Sequence, residues 1–216
     1  MKSPWKAGFR SHAAFSMMEL LIVMAIIVIM ASLMGPSLST ALRGTQLTQA
    51  TDKLIGVLSV ARQSAVTKSQ TVEVRFYAYV DSQSPGDTGH GHAIQAFSIN
   101  DSGDAVPIMK AQILPQGIVM TTNATYSTLL TQTNSTAPSQ VSIPRAGTTY
   151  TCSSFRYYRG GVTSLAASPS SSQVWGVTLV NQTDTLGSKA SSLPVNYTTV
   201  VIDPFNGSLR TYRPSL

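Results

Sequence analysis

From Phe15 to Met34 the chain reads "FSMMELLIVMAIIVIMASLM", an apolar run whose one charge is Glu19. No other feature restricts the fold as much. As a helix at 1.5 Å per residue the run would measure about 30 Å, enough to cross the hydrocarbon core of a bilayer. It therefore predicts a spanning helix. Lys2, Lys6 and Arg10 precede it, and bases on that side predict a cytoplasmic N-terminus with the remainder of the chain outside. Glu19 is the difficulty. An ionised side chain within hydrocarbon costs on the order of 3 kcal/mol on insertion scales, and such groups usually serve a purpose. A carboxylate near the end of the span could also snorkel to the headgroups.

Three kinds of N-terminal segment fit part of this pattern. A cleaved signal peptide would place its small-residue site after the apolar run, where "MASLMGPS" offers Pro36 beside Gly35, and the run is long for such a peptide. A plain uncleaved anchor accounts for length and orientation but not for Glu19. In a prepilin-type signal the cut precedes the run, and the run is kept. The stretch "AAFSMMELLIVMAIIVIMASL" resembles the N-terminus of type IV pilins and type II secretion pseudopilins. The resemblance implies cleavage between Ala14 and Phe15, N-methylation of Phe15 and an assembly role for Glu19 at the fifth mature position. Ala14 departs from the Gly usual before the cut. In a fibre of such subunits, Glu19 of one copy would face the new amino terminus of a neighbour. Opposite charges in a low dielectric attract strongly, though desolvation removes much of the gain.

Beyond the run, Gly35 and Pro36 should bend or locally open the helix. Leu47, Ala50, Leu54, Val57, Leu58, Ala61 and Ala65 then recur at spacings of three and four, the narrow stripe of an amphipathic helix packing on a sheet. In "TVEVRFYAYV" the period changes to two, as in a half-buried strand. Further strands are expected in "AIQAFSIN", "GIVMTT", "SFRYYRGGVT", "QVWGVTLVN" and "YTTVVID", and "PFNGS" followed by "LRTYRP" reads as a closing hairpin. Loops rich in Ser, Thr, Pro and Gly separate them. The expected fold class is α+β: a long N-terminal helix, half membrane-spanning and half amphipathic, packed on an antiparallel head, which is also the pilin architecture. The expected divisions are a leader at 1–14, a spanning helix at 15–36, an amphipathic helix at 37–69 and a β-rich head at 70–216. "ARQSA" at 61–65 and the ending "VVIDPFNGSLRTYRP" resemble the H-type pseudopilins and their minor-pilin relatives. More narrowly, the leader and the "YRP" ending resemble a pilin-like family, the Verru_Chthon cassette protein D group.

Little in the chain suggests catalysis. Charged residues make up 11% of it, against roughly 25% in typical domains, and no paired carboxylates, hydrolase elbow or phosphate-binding glycine loop stands out. The net charge of +6 is inflated by the three leader bases, so it argues only weakly for a nucleic-acid partner. Cys152 is the single cysteine, which excludes an intrachain disulfide and reads as a buried small side chain. His90 and His92, beside Asp81 and Asp87, are the nearest approach to metal ligands, but alternate spacing in a Gly-rich loop is weak support. No metal, cofactor or enzymatic activity is expected. Arg210 and Arg213, with Tyr212 between them, could hold nucleic acid, as the resemblance to DNA-binding minor pilins implies. Strand surface and packing of the hairpin explain them more simply.

Together these features predict a fibre subunit. Its partners would be other pilin-like subunits, a prepilin peptidase and methyltransferase, and inner-membrane assembly machinery. It would sit as a single-pass inner-membrane protein with a periplasmic head before entering a periplasmic or surface fibre. A fibre-tip binding module for DNA or a surface ligand, and an anchored periplasmic domain that never polymerises, are the alternatives.

Overall fold

The computed structural model describes residues 16–84, 86–132, 143, 150–169, 173–185 and 193–214, with backbone alone at 33–41 and 185. Helix α1 covers Met17–Thr67. Strands follow as β1 (Thr71–Ala78), β2 (Gly91–Ile99), β3 (Ala105–Pro107), β4 (Gln112–Ile113), β5 (Ile118–Met120), β6 (Thr151–Tyr157), β7 (Trp175–Asn181), β8 (Tyr197–Ile202) and β9 (Leu209–Tyr212), with a short helix α2 (Gln182–Thr185) after β7. The nine strands form one sheet in the order β6-β1-β2-β5-β7-β8-β9, with β3 and β4 also paired to β2. Every pairing is antiparallel. By compactness the chain divides into residues 1–42 and 43–216, so the later part of α1 belongs with the sheet.

That later part packs as its spacing requires. Leu47, Ala50, Leu54, Val57, Leu58, Ala61 and Ala65 are buried in one core with Val72, Val74 and Phe76 of β1, Ile94 and Ala96 of β2, Phe155 and Tyr157 of β6, and Val177, Leu179, Val200 and Ile202. Small residues at 50, 61 and 65 let the sheet approach the helix closely. The helix then stops in a Schellman turn. Ser69 N–H donates to the Val66 carbonyl and Gln70 N–H to that of Ala65, with Ser69 at φ 47° where glycine is usual.

The sheet curls until the turn after β6, at one edge, meets the turn between β8 and β9, at the other, beside α1. Thr163 N–H and Oγ1 both donate to the Pro204 carbonyl, at 3.2 and 2.7 Å. Gly207, at φ 66°, lies so close that a Cβ there would stand 2.6 Å from the Gly161 carbonyl oxygen and 2.7 Å from the Tyr157 ring. Only a hydrogen fits in that seam. Arg62 of α1 reaches the same turn, its Nε donating to the Asn206 carbonyl.

Several expectations are corrected by these observations. The fold is dominated by a nine-stranded antiparallel sheet, not by a helix half of which spans a membrane. Among the described residues no helix is long and apolar enough to cross a membrane. Among the described residues, the buried packing of helix on sheet runs from Leu47 to Ala65. The single-pass inner-membrane placement fails for the same reason. Strand β1 is also buried on both faces rather than one. Its second face carries Glu73, which accepts from Arg75 Nε at 2.6 Å and from Arg156 Nε at 2.8 Å, while the Arg75 guanidinium stacks 4.3 Å from the Phe97 ring centre. Pairing and stacking make burial of these charges tolerable.

Candidate functional site

The start of α1 combines apolar exposure with a lone acid. Ser16 precedes the helix, and its Oγ accepts from the Met18 N–H at 3.2 Å, as an N-capping serine does. Glu19 follows in the first turn, where the positive end of the helix favours an acid by about 0.3–1 kcal/mol. "SMME" at 16–19 is thus a capping-box pattern, a local reason for Glu19 that the apolar run had masked. It does not account for the surroundings. From Met17 to Met30 the large apolar side chains are exposed all round the helix, from 46% at Val23 to 92% at Met17. A helix apolar on every side is ordinarily covered by something.

Ala14 and Phe15 lie outside the described residues. The backbone of α1 is helical through Gly35 and Pro36, so the helix does not end there.

His90 and His92 close on one carboxylate. Asp87 Oδ1 lies 3.0 Å from His90 Nδ1 and Asp87 Oδ2 lies 2.7 Å from His92 Nε2. The Asp81 N–H donates to Oδ2 at 2.7 Å, and the Tyr79 ring packs on His92. Burial alone would raise the Asp87 pKa, but the hydrogen bonds from the Asp81 backbone, His90 and His92 outweigh it and hold the carboxyl at about 2. The carboxylate ties the loop between β1 and β2 to the sheet. Among the described residues no group of three or more His, Cys, Asp or Glu is arranged to hold a metal ion.

Arg210 and Arg213 do not share a surface. Side chains alternate along β9, so Arg210 and Tyr212 stand on the face away from α1. They line a hollow of about 280 Å³ with Val174, Trp175 and Phe205. Arg213 points the other way, with Nη1 3.4 Å from Thr48 Oγ1 of α1. The separation of three between the two arginines could have shown this from the sequence. Arg156 is paired to Glu73, and Phe155 and Tyr157 are core residues in edge-on contact. The bases and aromatics of β6 are therefore engaged in packing and pairing. Cys152 is buried, and burial pushes its thiol up to about 11, as befits an unreactive apolar side chain.

Comparison with protein-family models, with curated proteins and with solved structures finds no match for this chain.

Proposed function

We propose that the chain is a structural subunit of a pilus-like or type II secretion-like fibre, freed for assembly by a prepilin-type peptidase that cuts between Ala14 and Phe15. One observation carries this reading: the first turns of α1 expose a continuous apolar surface with a single acid in it. An exposed patch of that kind marks a surface that another molecule covers. The same surface on neighbouring copies would cover it by bundling helices. The later part of α1 spends its own apolar stripe on the sheet and has no need of a neighbour.

Within such a bundle Glu19 would lose water and require a cation. The amino terminus created at Phe15 is the group that cleavage supplies. Removing one member of a buried pair typically costs about 3 kcal/mol or more, equivalent to roughly a hundredfold in association. Glu19→Ala should therefore reduce the assembled fraction by about that factor in sedimentation and electron microscopy, while unfolding of the sheet is unchanged. Intact assembly would remove Glu19 from the interface. N-terminal mass spectrometry should find methylated Phe15 in the assembled protein. A chain that retains Met1 in the fibre would overturn the processing step.

A further inference from the structure

The packed stretch of α1 has a second face beside the one that the sheet covers. Ile55, Ser59, Arg62 and Val66 follow one another at spacings of three and four, with Gln63 next to Arg62, so they share one side of the helix. With Ser208 and Leu209, at the start of β9, they line a hollow of about 630 Å³. We propose that this hollow binds a phosphate ester, with the phosphate held by Arg62, Gln63, Ser59 and Ser208 and the organic part lying against Ile55, Val66 and Leu209. The site stands apart from the fibre reading and does not depend on it.

The lining holds a cation and no acid. Arg62 Nε donates to the Asn206 carbonyl at 2.9 Å. The turn that carries this carbonyl is itself fixed. Asp203 accepts from the N–H groups of Phe205 and Asn206, and Asn206 Oδ1 accepts from the Ser208 N–H at 2.7 Å. One nitrogen therefore positions the guanidinium, while its two terminal nitrogens have no partner among the described residues. None of the ion pairs among those residues involves Arg62. The Tyr157 ring lies against Gly207 of the lining, but burial keeps its phenol protonated, so it supplies no negative charge. Asp203 faces the separate hollow beside Trp175 and Arg210.

The other donors are open as well. The Ser59 and Ser208 hydroxyls and the Gln63 side-chain amide have no hydrogen-bond partner among the described residues, whereas the Thr67 hydroxyl is spent on the Gln63 carbonyl at 2.8 Å. Guanidinium, amide and hydroxyl groups thus surround one space with no carboxylate to receive them. A carboxylate would bring two oxygens to these donors. A phosphate brings three acceptor oxygens and more charge, which suits donors approaching from both the helix and the turn, and a guanidinium fork matches it in shape. The apolar lining selects an ester over the bare ion. Ile55 and Leu209 pack against the core and Val66 is exposed beside them, so an organic substituent laid on them loses water favourably. The volume falls within the roughly 300–1,000 Å³ of small-molecule sites.

Calorimetry on the full-length chain, held in a maltoside detergent free of phosphate, tests this. Glycerol phosphate should bind and glycerol should not. Dihexanoyl phosphatidic acid separates two sources of such an ester: tighter binding than glycerol phosphate identifies a lipid headgroup, and equal binding a free small ester. Arg62→Gln should weaken glycerol phosphate about tenfold or more, the scale of charge-assisted hydrogen bonds. Arg62 also holds the turn, so Gln63→Ala and Ser208→Ala supply a separate check. Each should weaken binding roughly threefold with the urea midpoint unchanged. Added sodium chloride should weaken the wild type more than Arg62→Gln. Glycerol phosphate that does not bind, or that binds the three variants as tightly as the wild type, would overturn the site and leave the fibre reading untouched.

Discussion

Helix α1 contains two stretches that differ in what surrounds them. Between Leu47 and Ala65 the apolar residues form a stripe, and the sheet covers it. Between Met17 and Met30 they encircle the helix, and the described part of the chain leaves them exposed. The first stretch has its partner in its own chain. The second has no cover among the described residues, and on the fibre reading proposed above the same residue types serve folding in one place and association in the other.

The sharpest way to break this distinction is a pair of alanine substitutions. Leu54→Ala removes a fully buried side chain and should lower stability by about 3 kcal/mol, read as a fall in the urea midpoint followed at Trp175. Ile27→Ala should leave that midpoint within about 0.5 kcal/mol while reducing assembly. Equal destabilisation by the two would mean that the exposed stretch packs on the sheet after all.

Acid gives a smaller effect, confined to the sheet. Asp87 is held at about 2 in the folded state, below its usual value of 3.8. A depressed carboxyl contributes stability above its unfolded pKa and loses it as pH falls through the folded one. The contribution should therefore be complete above about pH 4 and gone near pH 2, and it is on the order of 1 kcal/mol after allowing for solvent screening at a loop. Asp87→Asn should flatten that part of the stability profile. An unchanged profile would show that the two histidines do not hold the carboxylate in solution.

The smallest expected effect is a gain. Ser69 occupies a left-handed conformation at the end of the packed stretch, so Ser69→Gly should raise stability by about 0.5–1 kcal/mol. A thermal midpoint that does not rise would indicate that the serine side chain repays its strain.

Much of the packed region was legible because its physics is local and periodic. The stripe from Leu47 to Ala65 follows the helical repeat, and the alternation of Val72, Val74 and Phe76 identifies the inner face of β1. Legibility ended where long-range pairing decides. Strands β3 and β4 are too short to carry a pattern, and nothing in "TVEVRF" shows that Glu73 and Arg75 will be buried by pairing with each other and with a residue as distant as Arg156. The cluster at His90 and His92 was located, but its centre is Asp87, which only the geometry singles out. Glu19 stands out in the sequence as a charge among apolar residues, while "SMME" also displays its place in a helix cap.

The contact between Gly161 and Gly207 has a mechanical consequence. Residues far apart in sequence lock the two edges of the sheet together beside the helix, so neither edge can fray without exposing the core it encloses. Opening there should be nearly as costly as unfolding the whole region. If the chain assembles as proposed, a subunit pulled along the fibre would then yield at its joints with its neighbours before its own sheet came apart.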